Sequence, residues 1–436
     1  MPDPIRVLYL DHTAKLSGGE IALLRLLQAL DRSVVEPVVV LGENGPLEPK
    51  MREAGIEVHV LELDAEVREI RKGTLGAAGI RHLVRVPRLL GYARRIARFA
   101  SDRQVNVIHT NSLKSDIYGA FAAKMAGLPV VWHIRDGIHS GYLPKPAVFV
   151  FRWLARTLPD YVVANSSATL ESLRLGAKAR KDVIFSGGPV RTGKNTLPTM
   201  VLYDGVHTKT FGRRTIETQR TLNPVGAISE RPIIGIVGRI APWKGQDVFL
   251  QAAETVLQRG YAGLFWIVGS ALFGEADFEQ QLRRRAGSGI LQGKVQFLGF
   301  REDMEDILGE LDILVHASTV PEPFGQVIIE GMAAGLPVIA SDAGGPREII
   351  THGVSGLLSP PGDAVALAEA IIELLENPGQ ARAIAQAGRR HVEQHFSVRS
   401  SAEKVERIYR EIATNRIHQR ESRARRSERS GSDRLK

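Results

Sequence analysis

Cysteine is absent from this chain of 436 residues. That excludes disulfides and thiolate metal sites and is compatible with a reducing cytoplasm. Aromatic residues are scarce, at 6%, and no recognition motif accompanies the basic charge, so no nucleic acid partner is expected. No apolar run reaches the roughly 20 residues of a membrane span. The first ten residues lack a basic flank followed by an apolar core, and they read as a short first strand rather than a signal peptide. Gly-x-Gly-x-x-Gly follows neither candidate first strand. The strand ending Trp266-Ile267-Val268-Gly269 carries no acid for a ribose, which argues against a nicotinamide-dependent oxidoreductase.

What is present is ordinary for a soluble enzyme: 44% hydrophobic and 24% charged residues. The formal net charge of +9 is unevenly spread. Asn415 to Lys436 holds eight Lys or Arg against three acids and almost nothing apolar, and reads as a basic disordered tail. A second basic zone, 68–103, sets Arg81, Arg85, Arg88, Arg94, Arg95 and Arg98 among apolar residues. It reads either as a solvated helix face or as a contact for anionic lipid head groups or an anionic acceptor.

Short apolar strands alternate with helical patterns along the chain. Ile5–Leu10, Val34–Leu41, Ile56–Val60, Val105–His109, Val130–Ile134 and Tyr161–Ala164 are strands of a first half. Ile233–Val237, Leu264–Val268, Val295–Leu298, Ile313–His316 and Val338–Ala340 are strands of a second, because the pattern restarts at Pro232. Such alternation gives an α/β fold with parallel sheets covered on both faces, here two doubly wound Rossmann-like domains. Ligands then belong at the carboxyl ends of the strands. Between the halves, 181–200 is rich in Gly, Pro and Lys and reads as a surface insertion. Its Gly188–Asn195 nearly matches a P-loop, but Asn195 stands where Ser or Thr would hold a metal, and Pro198 breaks any following helix.

The most informative stretch is 318–345. Glu322 lies between Pro321 and Pro323, which restrict its backbone. Phe324-Gly325-Gln326 opens an apolar helix that carries Glu330, Gly335 and Pro337 end it, and Val338–Ala340 forms a strand. A helix start offers free N–H groups and a positive dipole end to an anion, and carboxylates suit hydroxyls. Phosphate plus polyol points to a nucleotide sugar.

With seven residues between Glu322 and Glu330, followed by Gly344-Gly345, this stretch resembles the E-x7-E signature of the group 1 family of retaining glycosyltransferases of the GT-B fold. The resemblance implies two Rossmann-like domains facing across a cleft: 1–210 on the acceptor side, 211–396 binding the donor, and a helix at 397–414 crossing back to the first. It also implies a hexosyl donor on a nucleoside diphosphate, UDP- or GDP-linked, and a saccharide or lipid-linked acceptor. Gly238-Arg239 with Lys244-Gly245 resembles the family's Gly-Arg…Lys-Gly motif, in which two cations neutralise the departing diphosphate. By the same resemblance Glu322 binds hydroxyls of the transferred sugar and Glu330 those of the ribose. Backbone groups at Phe324, Gly325 and Gln326 hold sugar or phosphate, and Gly269, Phe300 and Arg301 frame the base. The Gly18-Gly19 turn faces the diphosphate, and His133 contacts the transferred sugar. No Asp-x-Asp occurs in the chain, so no metal and no other cofactor is expected, and Arg239, Lys244 and the helix dipole take the place of a cation. The expected setting is the cytoplasm, peripheral on the inner face of the membrane. Epimerase or phosphorylase chemistry on the same fold, or a non-catalytic binding protein, are the competing readings.

Overall fold

The computed structural model describes residues 3–64, 85–175, 197–208, 231–272 and 274–432. Among them lie two parallel sheets. The first runs β3-β2-β1-β4-β5-β6-β7, with β1 Ile5–Asp11, β2 Val35–Leu41, β3 Glu57–Val60, β4 Val107–Thr110, β5 Val130–Ile134, β6 Tyr161–Ala164 and β7 Thr199–Val201. The second runs β10-β9-β8-β11-β12-β13, with β8 Ile233–Val237, β9 Leu264–Val268, β10 Val295–Gly299, β11 Ile313–His316, β12 Val338–Ser341 and β13 Leu357–Ser359. Strand order reverses between β1 and β4 and again between β8 and β11. Such reversals open a crevice at the carboxyl edge.

Period-two alternation along each strand explains why both faces of each sheet are apolar. In the first sheet Leu8, Leu10, Val38, Val40, Ile108 and Trp132 face one core. Val7, Tyr9, Val39, Leu41, Val107 and Val131 face the other, with Leu23, Leu26 and Leu27 of the helix Gly18–Ala29. In the second sheet Ile234, Ile236, Phe265, Ile267 and Val315 line one side. Leu314, Val338 and Ala340 meet Phe324, Ile328, Ile329 and Met332 on the other.

One compact unit comprises the chain up to Asn165, 170–202 and everything from Arg399 on; the other holds Ser166–Thr169 and Tyr203–Val398. The last helix, Val398–Ser432, joins the first unit through a stripe of Ala402, Val405, Ile408, Tyr409 and Ile412 against Tyr9 and its neighbours.

Two sequence readings are corrected here. The disordered tail from 415 is instead a continuation of this helix through Ser432. Its Arg, Glu, Gln and Ala residues are good helix formers, no Pro interrupts them, and the first Gly is Gly431. The insertion 181–200 does not extend to Met200, because Thr199–Val201 pairs with β6. Its near P-loop falls outside the described residues, as do residues 68–84 of the basic zone. The rest of that zone is the helix Arg85–Asp102, with Tyr92, Ala93 and Ile96 buried and Arg88, Arg94, Arg95 and Arg98 exposed.

Candidate functional site

The second unit gathers its site from loops that leave the carboxyl ends of β8, β9 and β11. After β8 the chain makes a short turn, Pro242–Lys244, and enters the helix Gln246–Gln258 through Gly245. Gly245 has φ +74°, and a Cβ there would lie 1.9 Å from the Ala317 carbonyl oxygen beyond β11. Gly269, past β9, has φ +132°, and its Cβ would lie 2.0 Å from the Gly238 carbonyl oxygen. Only glycine permits either approach. A backbone bond from Thr319 N–H to the Trp243 carbonyl, at 2.9 Å, closes the seam.

This packing brings Lys244 to Glu322. The ammonium donates to both carboxylate oxygens, at 2.9 Å each. Ser318 Oγ donates to Glu322 Oε2 at 2.7 Å, and His316 Nε2 lies 3.4 Å from the same oxygen. The Glu322 backbone is held by Gly345 N–H, which donates to its carbonyl at 2.8 Å. Burial alone would push this carboxyl up. The Lys244 charge and the His316 contact outweigh burial and hold it well below the usual carboxylate range. Arg239 Nη1 donates to Glu275 Oε1 at 3.0 Å. The Trp243 ring lies beside both cations, 4.5 Å from Lys244 Nζ and 5.6 Å from Arg239 Cζ. Two cations and an ionised acid therefore share one patch at the sheet edge.

The other residues expected in this unit are placed less uniformly. Gly325 precedes the helix Gln326–Ala333, which carries the buried Glu330. The Gln326 amide nitrogen is buried without a hydrogen-bond partner among the described residues. Phe324 packs against Tyr203 and Phe396 at 5.9 Å from each ring, so only its backbone is left for a ligand. Phe300 is exposed beyond the edge strand β10, and Arg301 Nε donates to Asp303 at 2.8 Å. The sequence reading missed Trp243, Glu275, His316 and Ser318. His316 ends β11 and Ser318 lies four residues before Glu322, a signal that strand-end position could have supplied.

In the first unit, Gly18 and Gly19 open the helix Gly18–Ala29 beside Glu20, to which Ser17 Oγ donates. Burial first, then the charge of Asp11, pushes the Glu20 carboxyl up to about 7. His133 is the fourth of the five residues of β5, near the carboxyl end where the sequence reading put it, and only 1% exposed. Arg135, two residues on and therefore on the same side, is the first side chain past the strand on that face. Its Nε donates to Asn111 Oδ1 at 2.7 Å, and Asn111 Nδ2 donates to the buried Asp11 at 2.7 Å. Asp11 ends β1 and Asn111 follows β4, so both flank the reversal of strand order, which strand spacing alone could have flagged.

Two family descriptions and several known proteins match this chain. Residues 218–391 match the family description "Glycosyl transferases group 1", and 17–187 match "Glycosyl transferase 4-like domain". The amylovoran biosynthesis glycosyltransferase AmsK of Erwinia amylovora is 34% identical over 39% of this chain and 44% of its own length. A GDP-mannose-dependent alpha-mannosyltransferase of Mycobacterium tuberculosis is 30% identical over 59% of this chain and 61% of its own. The chain thus spans about half the length of these curated relatives. The crystal structure of Anabaena HepE in complex with UDP-glucose superimposes with a TM-score of 0.74 at 27% identity, covering 95% of this chain and 100% of that one. A glycosyltransferase from Rickettsia africae, 22% identical with a TM-score of 0.73 over 94% and 99% of the two chains, shares the fold. The signature at Glu322 and Glu330, the paired cations and these matches place the chain among the group 1 glycosyltransferases of the GT-B fold.

Proposed function

We propose that this protein moves a hexosyl group from a nucleoside diphosphate to a saccharide or lipid-linked acceptor, with retention at the anomeric carbon and without a metal. The observation that carries the reading is the Lys244–Glu322 pair beside Arg239 at the carboxyl edge of the second sheet. Arg239 and Lys244 receive the diphosphate oxygens and stabilise the charge that grows on them as the glycosidic bond breaks. Glu322, kept ionised, accepts hydrogen bonds from the sugar hydroxyls, and Glu330 takes those of the ribose. The acceptor oxygen bonds to the anomeric carbon on the face the diphosphate leaves. The bonding pair goes to the diphosphate oxygen, which also takes the acceptor's proton.

Relatives leave the nucleotide open between UDP, bound in HepE, and GDP, named in the mycobacterial enzyme. Turnover of a panel of UDP- and GDP-sugars, with the product anomer read by NMR, tests the reading. Full activity in EDTA and retained configuration are expected. Replacing Lys244 by Met should lower kcat by about 100-fold or more with the fold intact. A strict need for added divalent cation, an inverted product, or an unimpaired Lys244→Met variant would overturn it.

A lipid-linked acceptor is the form that the surface of the first unit favours. The helix Lys145–Thr157 buries Val148, Phe151 and Ala155 and turns Phe149, Val150 and Trp153 outward, at 75%, 51% and 57% exposure. Arg152 and Arg156 lie on the same helix, and their charges, with that of Arg174, act on one another. Apolar rings with cations suit an anionic bilayer surface. No helix among the described residues is long and apolar enough to cross a membrane.

A further inference from the structure

One connected line of buried polar groups in the first unit has no part in the reading above. Tyr9 OH lies 2.7 Å from Tyr409 OH, and Tyr409 OH lies 2.9 Å from His109 Nδ1. His109 Nε2 lies 3.2 Å from His133 Nδ1, which also faces Arg135 Nη2 at 3.4 Å. Arg135 Nε and Asn111 Nδ2 carry the line on to Asp11. It runs from the last helix, across the sheet, to the carboxyl edge where strand order reverses.

The direction of every bond follows from which atoms can only donate. A guanidinium nitrogen cannot accept, so His133 Nδ1 is the acceptor and its ring proton sits on Nε2. Facing that acceptor, His109 Nε2 must carry a proton. His109 Nδ1 is then bare, so Tyr409 OH donates to it, and Tyr9 OH donates to Tyr409. Each imidazole holds one proton, as burial and the nearby Arg135 charge require: His109 is pushed down to about 3 and His133 well below its ordinary value. The protons of the two tyrosines are retained, since burial raises both hydroxyls. Among the described residues His133 Nε2 has no hydrogen-bond partner, so Nδ1 is the atom through which this ring is held.

We propose that Tyr409 is a positioning residue for ligand binding at the carboxyl edge of the first sheet. Acting through His109 and His133, it fixes Arg135 beside the Gly18-Gly19 helix start, where a Cβ on Gly19 would lie 3.5 Å from Arg135 Cδ. Arg135 meets an anionic group of the ligand there, with the helix N-terminus beside it. The last helix thereby supports the site, as well as the core, with a single hydroxyl. That the ligand is the sugar donor or a phosphate-bearing acceptor rests on the proposed function; the hydrogen-bond order does not.

The first test needs no variant. Long-range nitrogen–proton NMR of the full chain should show His109 and His133 both as Nε2–H tautomers at pH 7. A proton on Nδ1 of either ring overturns the proposal, whatever the protein's activity. The second test is a double-mutant cycle between Tyr409→Phe and Arg135→Gln. It reads KM with UDP-glucose and GDP-mannose as probes, and with the acceptor for whichever the wild type uses. Loss of one buried hydrogen bond should raise KM for one ligand about tenfold, with kcat within about twofold. The same change should vanish in the Arg135→Gln background. Tyr9→Phe keeps the Tyr409-to-His109 bond and should cost stability without moving KM. Additive effects of Tyr409 and Arg135, or a Tyr9→Phe variant with the same KM defect, would show a structural role only and refute it. If the wild type turns over neither probe, KM is read with whichever sugar of the UDP- and GDP-sugar panel it does use; if it uses none, the proposed function fails instead, while the tautomer result stands.

Discussion

Glu322 and Glu20 are both buried glutamates, and their surroundings send them in opposite directions. Lys244 holds Glu322 ionised, so its contribution to stability is present above the ordinary carboxylate range and is lost as pH falls. Among the described residues no Lys or Arg pairs with Glu20, and burial and the charge of Asp11 prevail. The Glu20 carboxyl is raised from 4.5 to about 7, so the folded state binds more protons than the unfolded between those values. Stability must therefore fall as pH rises through that window, by at most about 3 kcal/mol at 1.36 kcal/mol per pH unit. Glu20→Gln removes the titration and keeps the shape. The expected outcome is a variant that gains on the wild type from pH 5 to pH 8, measured by urea unfolding at both. A wild type equally sensitive to pH with and without Glu20 would refute this. Spacing made Glu322 legible, because it stands with seven residues between it and Glu330 in one recognisable motif and its partner Lys244 sits in another. Glu20 was legible only as part of a Gly-Gly turn. What shifts it is burial first and then the charge of Asp11 at the end of another element, and sequence displays neither.

Strands and helices were legible to within a residue or two wherever apolar periodicity is strong, as in Val130–Ile134, Tyr161–Ala164 and Ile313–His316. The misses have physical causes. Thr199–Val201 is three residues long and follows Pro198, so it offers too little pattern. The polar end of the last helix has no apolar stripe to announce it. Nor could sequence show why some glycines are obligatory. Gly245 and Gly335 both have positive φ, at +74° and +79°, yet only Gly245 has a carbonyl in the path of a Cβ. Gly335→Ala should therefore cost about 1 kcal/mol, the strain of a left-handed alanine alone. Gly245→Ala should cost more than about 3 kcal/mol or displace the Lys244 turn, with a matching loss of turnover. Equal unfolding free energies for the two variants would show that the seam between the β8 and β11 loops yields easily.

At the scale of the whole chain, the unit proposed to bind the donor was read more fully than the other. A nucleoside diphosphate needs cations and acids close together, and here they stand in short motifs that spacing reveals. An acceptor makes no such fixed demand. Its traces are surface properties, such as the aromatic row on the helix Lys145–Thr157, whose outward side only the structure reveals. If Phe149 and Trp153 enter a bilayer interface, each contributes about 1.5 kcal/mol or more of apolar transfer. The Arg and Lys residues around them add an electrostatic part that salt screens. The chain should float with phosphatidylglycerol vesicles at low salt, weakly with phosphatidylcholine, and less in 0.5 M salt. Phe149→Ser with Trp153→Ser should reduce vesicle binding by more than about tenfold while leaving turnover of a water-soluble acceptor unchanged. A double variant that binds vesicles like the wild type would sink the membrane reading. So would a wild-type dimer in solution that the two substitutions dissociate, since the aromatic row would then be covered by a second copy of the chain.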